Sequence, residues 1–363
     1  MDDYSCLRNL KEGDLEQEAA LLAVRDALSF ETSYPYGLPG KSFQGDSWYQ
    51  GDNLGSEAIF TYYIKEKIET LKDKRQKAEK ELRKENKDVA FPTYDDLKAE
   101  REEEEPRLYF LISDAGGNLV RKIESSPGEG VNRIKWDLRY APKNPISLSE
   151  SSFYNPFAGK DEGALVAPGT YTVSLKKWVN GEMADLAGPV LFKVKALNNT
   201  VLPAMDREAL ASFQRNAEAL SGRIQGVQRL MSSVENEMKH IRKAINLMDI
   251  PGEEFMSNVL DIEQSMRDIR MKLNGDPVAP RLDIDTPPSI SEKIGTLLYE
   301  GKYSRSSPTA THVRLYAEVQ EMFPPVAKAL KNLVEGPLEA LRQKLQKAGA
   351  PYTPNAIPVI NKQ

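Results

Sequence analysis

The sequence predicts a multidomain α+β protein: an antiparallel immunoglobulin-like β-sandwich with an inserted helical hairpin, followed by an antiparallel helical bundle. Three observations lead to this prediction. The chain has 363 residues, which is too long for one ordinary core. Several segments before Pro203 alternate apolar and polar residues, as half-buried strands do. Beyond Pro203, apolar residues recur every three or four positions, as in amphipathic helices. The predicted domains are an arm at 1–57, a sandwich at 58–202 and a bundle at 203–363.

The N-terminal arm is predicted to be irregular. A short polar helix is indicated around Asp14–Ala20, and the loop after it lacks both the strand period and the helix period. Its aromatic side chains are the candidate binding residues Tyr34, Tyr36, Phe43, Trp48 and Tyr49. Aromatic rings among Gly and Pro suit a sugar ring or a protein surface. The alternative is that these rings anchor the arm onto the sandwich.

The sandwich is predicted from short strands with turn signals between them. The strands expected are Ala58–Ile64, Leu108–Ile112, Leu119–Ile123, a segment around Trp136, a segment around Val173, and Leu186–Val194. Alternation around Trp136 predicts that this side chain lies in the core. A small open sheet covered by the charged helices is the alternative to a sandwich.

A highly charged interval at about 65–105 separates the first two of these strands. Its apolar residues Ile68, Leu71, Ala78 and Leu82 fall on roughly one face, which is typical of an exposed helix. Phe91-Pro92-Thr93 ends this pattern, and a second short helix is indicated through Ala99. The interval is therefore predicted to be a helical hairpin.

The C-terminal third is predicted to form an up-and-down bundle of helices. The expected helices are a long one from Asp206 to just before Pro251, then Glu253–Leu273, Ser289–Tyr299 and Thr309–Ala348. Proline inside a helix costs about 3 kcal/mol, so the last helix is expected to kink or split at Pro324-Pro325, with Gly336-Pro337 as a second break.

Composition argues against several classes of function. Lys plus Arg number 49 and Asp plus Glu number 54, so no overall positive field attracts nucleic acid. One cysteine, Cys6, and two histidines, His240 and His312, argue against metal sites, and no cofactor or catalytic motif is recognisable. No apolar run approaches the roughly 18 residues of a membrane span, so no membrane insertion is expected. The acidic N-terminus also lacks the pattern of an export signal.

Several motifs, in order along the chain, carry a resemblance to a known family. They are Lys41–Tyr49, Phe60–Glu66, Trp136–Tyr140, Ala167–Val173 and Gly349–Pro354. This set resembles the C-terminal region of bacterial sortilin-like, BNR-repeat β-propeller proteins, which are often labelled glycosyl hydrolases. The pieces around Trp136 and Ala167 are similar to the immunoglobulin-like domain of flagellar hook-capping proteins. The resemblance implies a β-propeller partner in cis or in trans, and a periplasmic or secreted location. The propellers themselves are missing, so a detached C-terminal part is expected.

Two functions from different classes remain open at this point. The first is a non-catalytic accessory module, bound to a β-propeller and recognising a protein or glycan partner. The alternative is a fragment of a propeller-type glycoside hydrolase that contributes acids to an interface site. The first requires exposed apolar or aromatic surface, whereas the second requires two acids converging in a pocket.

Overall fold

A computed structural model describes residues 4–30, 45–46, 49, 51, 55–148, 161–197, 201–354 and 356. Contacts divide the chain into two compact units. The first unit comprises residues 1–141 and 162–211, and the second comprises residues 142–161 and 212–363.

The first unit contains two β-sheets and three complete α-helices among its described residues. Its strands are β1 (Ala19–Leu21), β2 (Ala27–Ser29), β3 (Ala58–Ile64), β4 (Arg107–Asp114), β5 (Leu119–Ser125), β6 (Gly130–Trp136), β7 (Gly169–Val179) and β8 (Glu182–Ala196). Its helices are α1 (Glu12–Glu16), α2 (Leu71–Lys84) and α3 (Tyr94–Glu102). One sheet is antiparallel with the order β1-β3-β6, and the other has the order β2-β8-β7-β4-β5.

The predicted antiparallel immunoglobulin-like sandwich is wrong. The five-stranded sheet is mixed, because β2 runs parallel to β8 with Ala27 opposite Val194, and it curls into a half-barrel. The pairing of β7 with β8 also shifts register on both sides of Leu175, and such irregularities bend a strand. Alternation of apolar residues predicts strands and their buried face, but it contains no information on their direction or neighbours.

Two short strands are present within residues 1–57, the region predicted to be an irregular arm. Strand β1 pairs with β3, with Ala19 opposite Ile64, and β2 forms an edge of the larger sheet. Each of these strands has only three residues, which is too short for a period of two to be visible in the sequence.

The core of the first unit combines aliphatic and aromatic side chains, and the prediction that Trp136 belongs to this core is confirmed. Trp136 is only 1% exposed, and its ring meets those of Tyr171 and Phe192 at centroid distances of 5.6 and 6.1 Å. Its Nε1 donates a hydrogen bond to the carbonyl oxygen of Arg139 over 2.9 Å. Burial raises the pKa of the Tyr171 phenol.

Among its described residues, all the regular structure of the second unit is helical. Its helices are α4 (Arg207–Ile245, whose first five residues belong to the first unit), α5 (Glu253–Asn274), α6 (Ile290–Tyr303), α7 (Ala310–Leu333) and α8 (Glu339–Lys347). Their apolar faces share one core cluster, drawn from positions between Ala217 and Leu345. No described helix combines the length and the apolar composition that crossing a membrane requires.

The helix is not split at Pro324-Pro325, because α7 continues through both prolines. The helix changes instead at the second predicted position, where a π-helical turn at Val334–Leu338 contains Gly336 and Pro337. Beyond this turn, Arg342 of α8 donates two hydrogen bonds, of 2.6 and 2.7 Å, to the carboxylate of Glu237 in α4. The Glu237 side chain is buried, so this ion pair fixes which face of α8 meets α4.

Candidate interaction surface

The hairpin formed by α2 and α3 lies between β3 and β4, two strands of different sheets. Both helices begin with a capping box. The Thr70 hydroxyl accepts from the Asp73 amide and the Asp73 carboxylate accepts from the Thr70 amide, and Thr93 and Asp96 repeat this arrangement. These local bonds satisfy exposed amide groups at each helix start, so both helices begin at sharply defined residues.

Polar contacts hold the base of the hairpin. Trp178 of β7 donates from Nε1 to Glu104 over 2.7 Å, and the backbone amide of Leu71 donates to Glu103 over 2.7 Å. The two helices are clamped together by Arg75, which donates to both carboxylate oxygens of Glu100 at 2.5 and 2.9 Å. This pairing lowers the pKa of Glu100. The hairpin is therefore attached and closed by polar contacts.

Neither helix of the hairpin contains a buried residue. At its tip, Phe91 is 88% exposed and Tyr94 is 79% exposed. Leu71 near the base is 42% exposed and Leu97 is 39% exposed. Large apolar side chains clustered on an exposed element mark interaction sites more often than single ones do. We refer to α2, α3 and the connection between them as the hairpin surface.

The charge of the hairpin surface is uneven. Helix α2 has seven Lys and Arg residues and three Asp and Glu residues, a net charge of +4, although the whole chain has a net charge of -5. Most of the acids are already paired: Glu79 contacts Arg75 and Arg83, and Glu81 contacts Lys84. Outside α2, Glu100 pairs with Arg75 and Glu69 pairs with Lys77, so the positive charge of α2 is partly compensated.

Four of the five aromatic residues predicted to bind a ligand lie outside the described residues: Tyr34, Tyr36, Phe43 and Trp48. Tyr49 is described, and its side chain is 92% exposed. An exposed ring at this position leaves both interpretations of the aromatic loop open.

Phe91 and Tyr94 were not among the predicted site residues. In the sequence, Phe91-Pro92-Thr93 indicates only the end of a helix, and one aromatic residue before a proline is a weak signal for binding. The sequence did offer one signal: two aromatic residues lie within four positions, where one predicted helix ends and the next begins, and both helices have few other large apolar residues.

None of three surface cavities lined by described residues brings together groups for an evident reaction. A cavity of about 390 Å³ lies between α5 and α7 with Ile269 and Val326 in its lining, and one of about 280 Å³ lies beside α8. The third, of about 60 Å³, contains Cys6, whose thiol donates to Thr61. No group of three potential metal ligands occurs among these residues.

The two histidines take up structural positions. His240 is exposed on α4, and its Nδ1 donates to the carbonyl oxygen of Asn236 over 2.8 Å. His312 lies in the first turn of α7, where its Nε2 is 2.6 Å from a carboxylate oxygen of Glu300. A histidine with only one carboxylate and no neighbouring nucleophile matches a helix-end contact rather than a catalytic group.

Comparison with known proteins adds no assignment. No protein-family model matches the chain, and no curated protein matches it. The hairpin surface therefore has to be interpreted from its own geometry and charge.

Proposed function

We propose that this chain is a non-catalytic interaction module that packs against a β-propeller of the sortilin-like, BNR-repeat kind and positions it. The choice of a propeller as the partner rests on the family resemblance of the sequence motifs. The proposed mode of binding rests on the hairpin surface. The module recognises its partner through exposed side chains and requires no cofactor.

The observation that carries this proposal is an element that buries none of its own residues. Ordering 14 residues in α2 and nine in α3 costs conformational entropy, and apolar burial normally offsets that cost. Here the capping boxes and the Arg75–Glu100 clamp provide local stability, while Phe91 and Tyr94 stay exposed. An ordered element with an aromatic tip is suited to contact a second surface, because the ordering cost is already met before binding.

The test uses two serine substitutions at the tip. The variant Phe91→Ser/Tyr94→Ser should bind a separately expressed BNR-repeat propeller from the same genome at least about tenfold more weakly than the unmodified chain, since exposed aromatic residues are frequent binding hot spots. Isothermal titration calorimetry measures the affinity. Because both side chains are exposed, the melting temperature should be unchanged.

The matched control is Tyr299→Ser, which removes a ring that is 77% exposed on α6. It should leave propeller binding unchanged. Equal affinities for the tip variant and the unmodified chain would contradict the proposal, and so would steady turnover of aryl glycosides by the purified chain.

A further inference from the structure

The tip of the hairpin is fixed at both ends. We define the tip as residues 85–96, which comprise the connection between α2 and α3 and the first turn of α3. Directly after α2, Asn86 adopts a left-handed φ of 54°, and the Lys87 amide donates to a carbonyl oxygen in the last turn of α2 over 2.9 Å. A capping box starts α3. The backbone that carries Phe91 and Tyr94 is therefore ordered before a partner binds, which lowers the entropic cost of binding.

The two rings of the tip are the most exposed large apolar side chains of the hairpin. Phe91 and Tyr94 lie three positions apart, with Pro92 between them, so both belong to one short stretch of chain. Aromatic side chains contribute most to binding where a pocket of the partner encloses them and excludes water. The tip therefore fits a concave apolar surface better than a flat one.

The tip has the opposite charge to α2. Its charged residues are one base, Lys87, and four acids, Glu85, Asp88, Asp95 and Asp96, which give a net charge of -3. Lys87 pairs with Glu85 over 2.6 Å, and Asp96 caps α3. Asp88 and Asp95 are exposed, and within the described part of the chain neither forms an ion pair or a side-chain hydrogen bond. One free carboxylate thus precedes the two rings and one follows them.

Bases near the tip do not cancel this charge, because each is already paired within the hairpin. The three nearest along the chain outside the tip are Arg83, Lys84 and Lys98. Their carboxylate partners are Glu79 at 3.5 Å, Glu81 at 2.6 Å and Glu102 at 3.9 Å, respectively. The unpaired charges at the tip are therefore both negative, and a partner that complements them carries positive charge.

We propose that the tip inserts Phe91 and Tyr94 into an apolar pocket of the partner propeller, and that Lys or Arg residues at the rim of this pocket pair with Asp88 and Asp95. This inference rests on the proposed function and specifies the chemistry of the surface that the propeller offers. A β-propeller has a central channel, so its surface includes a concave entrance. Burial of the rings contributes most of the affinity, whereas the charge pairs select the partner and its orientation.

Two other occupants match the tip less well. A second copy that met the first tip to tip would bring the unpaired carboxylates of both copies together, and like charges repel. An anionic membrane would also repel Asp88 and Asp95, although aromatic rings alone would favour its interface. A propeller pocket with a basic rim satisfies both the rings and the charges.

The first experiment titrates the full chain with the same separately expressed propeller. The variant Asp88→Asn/Asp95→Asn keeps the size of both side chains and removes their charges. At about 50 mM salt it should bind at least about threefold more weakly than the unmodified chain, chiefly through slower association. Raising the salt to about 500 mM should weaken binding of the unmodified chain, since salt screens charge pairs, and should affect the variant less. Asp88→Lys/Asp95→Lys should weaken binding further.

The matched control is Asp283→Asn/Asp285→Asn, which makes the same change in net charge at two exposed acids between α5 and α6. It should leave propeller binding and its salt dependence unchanged. Asp95 also lies in the first turn of α3, where a negative charge favours the helix. NMR secondary chemical shifts therefore check that α3 stays intact in each tip variant.

The second experiment tests the tip without a propeller. β-Cyclodextrin has an apolar cavity that admits an aromatic ring, and its rim can carry amino groups or sulfonate groups. The ring signals of Phe91 and Tyr94 in NMR spectra should respond to at least about threefold lower concentrations of the amino derivative than of the sulfonate derivative. Asp88→Asn/Asp95→Asn should remove this difference, and the control Asp283→Asn/Asp285→Asn should retain it.

The two experiments separate the inference from the proposed function. Equal propeller affinities for the unmodified chain and Asp88→Asn/Asp95→Asn would overturn the inference, and so would equal responses to the two cyclodextrins. The proposed function would still stand in both cases if Phe91→Ser/Tyr94→Ser weakened propeller binding. Absence of propeller binding, with the amino derivative still preferred, would contradict the proposed function but support a basic, concave partner surface.

Two further measurements test the other occupants. Sedimentation showing a dimer that Phe91→Ser/Tyr94→Ser dissociates would assign the tip to a second copy. Binding to phosphatidylserine vesicles that the same variant abolishes would assign it to a membrane. Either result would overturn the inference.

Discussion

Trp136 links two kinds of stabilisation in one side chain. Its ring is enclosed by Tyr171 and Phe192, and its Nε1 donates to the Arg139 carbonyl at the end of β6. A buried indole that lost this acceptor would carry an unsatisfied donor, so packing and hydrogen bonding favour the same rotamer. The β6 terminus is therefore fixed from within the core.

Replacing Trp136 by Ala should lower the free energy of unfolding of the first unit by about 3–5 kcal/mol, as deletion of buried aromatic residues does. Urea titration followed by far-ultraviolet circular dichroism, a signal that all the variants retain, measures the loss. Trp178 is itself half-buried and hydrogen-bonded to Glu104, so Trp178→Phe provides a milder comparison. A loss below about 1 kcal/mol for Trp136→Ala would contradict its role in the core.

Four of the described helices start with a capping box that has a Ser or Thr at its first position. Helices α2, α3, α6 and α7 each have a Ser or Thr before the first turn, which exchanges hydrogen bonds with the third residue of the helix. In α2, α3 and α6 that third residue is Asp or Glu, and in α7 it is His312. A short polar pattern thus sets where an element starts, whatever packs against it later.

The carboxylates of the hairpin make its stability depend on pH. Pairing with Lys67 and capping of Thr70 lower the pKa of Asp73, bonds from Thr93 lower that of Asp96, and Arg75 lowers that of Glu100. Groups whose pKa is lower in the folded state stabilise it above their unfolded pKa. This contribution decreases as the pH falls below about 4 and through the lowered pKa values.

Lowering the pH from about 5 to about 2 should therefore loosen α2 and α3 before the helical core of the second unit. NMR secondary chemical shifts of both helices measure the change, with α4 near the buried Ile241 as an internal reference. The variant Asp96→Asn keeps an acceptor but loses the charge, so the response of α3 should become flatter. Simultaneous loss of α3 and α4 would contradict this expectation.

On the scale of the whole molecule, the sequence predicts elements better than their arrangement. The turn after β4 was predictable, because Asp114 accepts from the amides of Gly116 and Asn118, and Gly117 adopts a φ of 78°. The parallel pairing of β2 with β8 was not predictable. It joins Ala27 to Val194 across most of the first unit, and neither segment contains a signal for the other.

For the hairpin surface, too, the sequence predicted the elements but not how they are exposed in the folded chain. The charge and helical period of 65–105 indicated exposed helices, and the hairpin has them. That neither helix contains a buried residue is a property of the folded chain, and the local sequence pattern does not show it. Five aromatic residues close together in the N-terminal loop predicted a binding site there. Phe91 and Tyr94 are only two, so they gave a weaker signal.

The second unit should fold when expressed as residues 206–354. Its core cluster comes from helices within this range, although the fragment loses the hydrogen bond from Gln225 to Asn144. Circular dichroism should show high helix content and a cooperative thermal transition. Placing a charge in the core by Ile241→Asp should abolish that transition. A fragment that melts without cooperativity would contradict independent folding.

The π-helical turn at Val334–Leu338 has a consequence for changes in chain length. Such a turn accommodates one residue more than a regular helix does, while the helices on both sides keep their faces. Deleting Pro337 should therefore convert the turn to α-helix and retain the contact between Arg342 and Glu237. Deleting Lys331 within α7 should instead rotate the residues between it and the turn by about 100° and expose Leu333. Thermal melting of the two deletion variants distinguishes these outcomes, and this turn marks where insertions and deletions can be accepted during evolution.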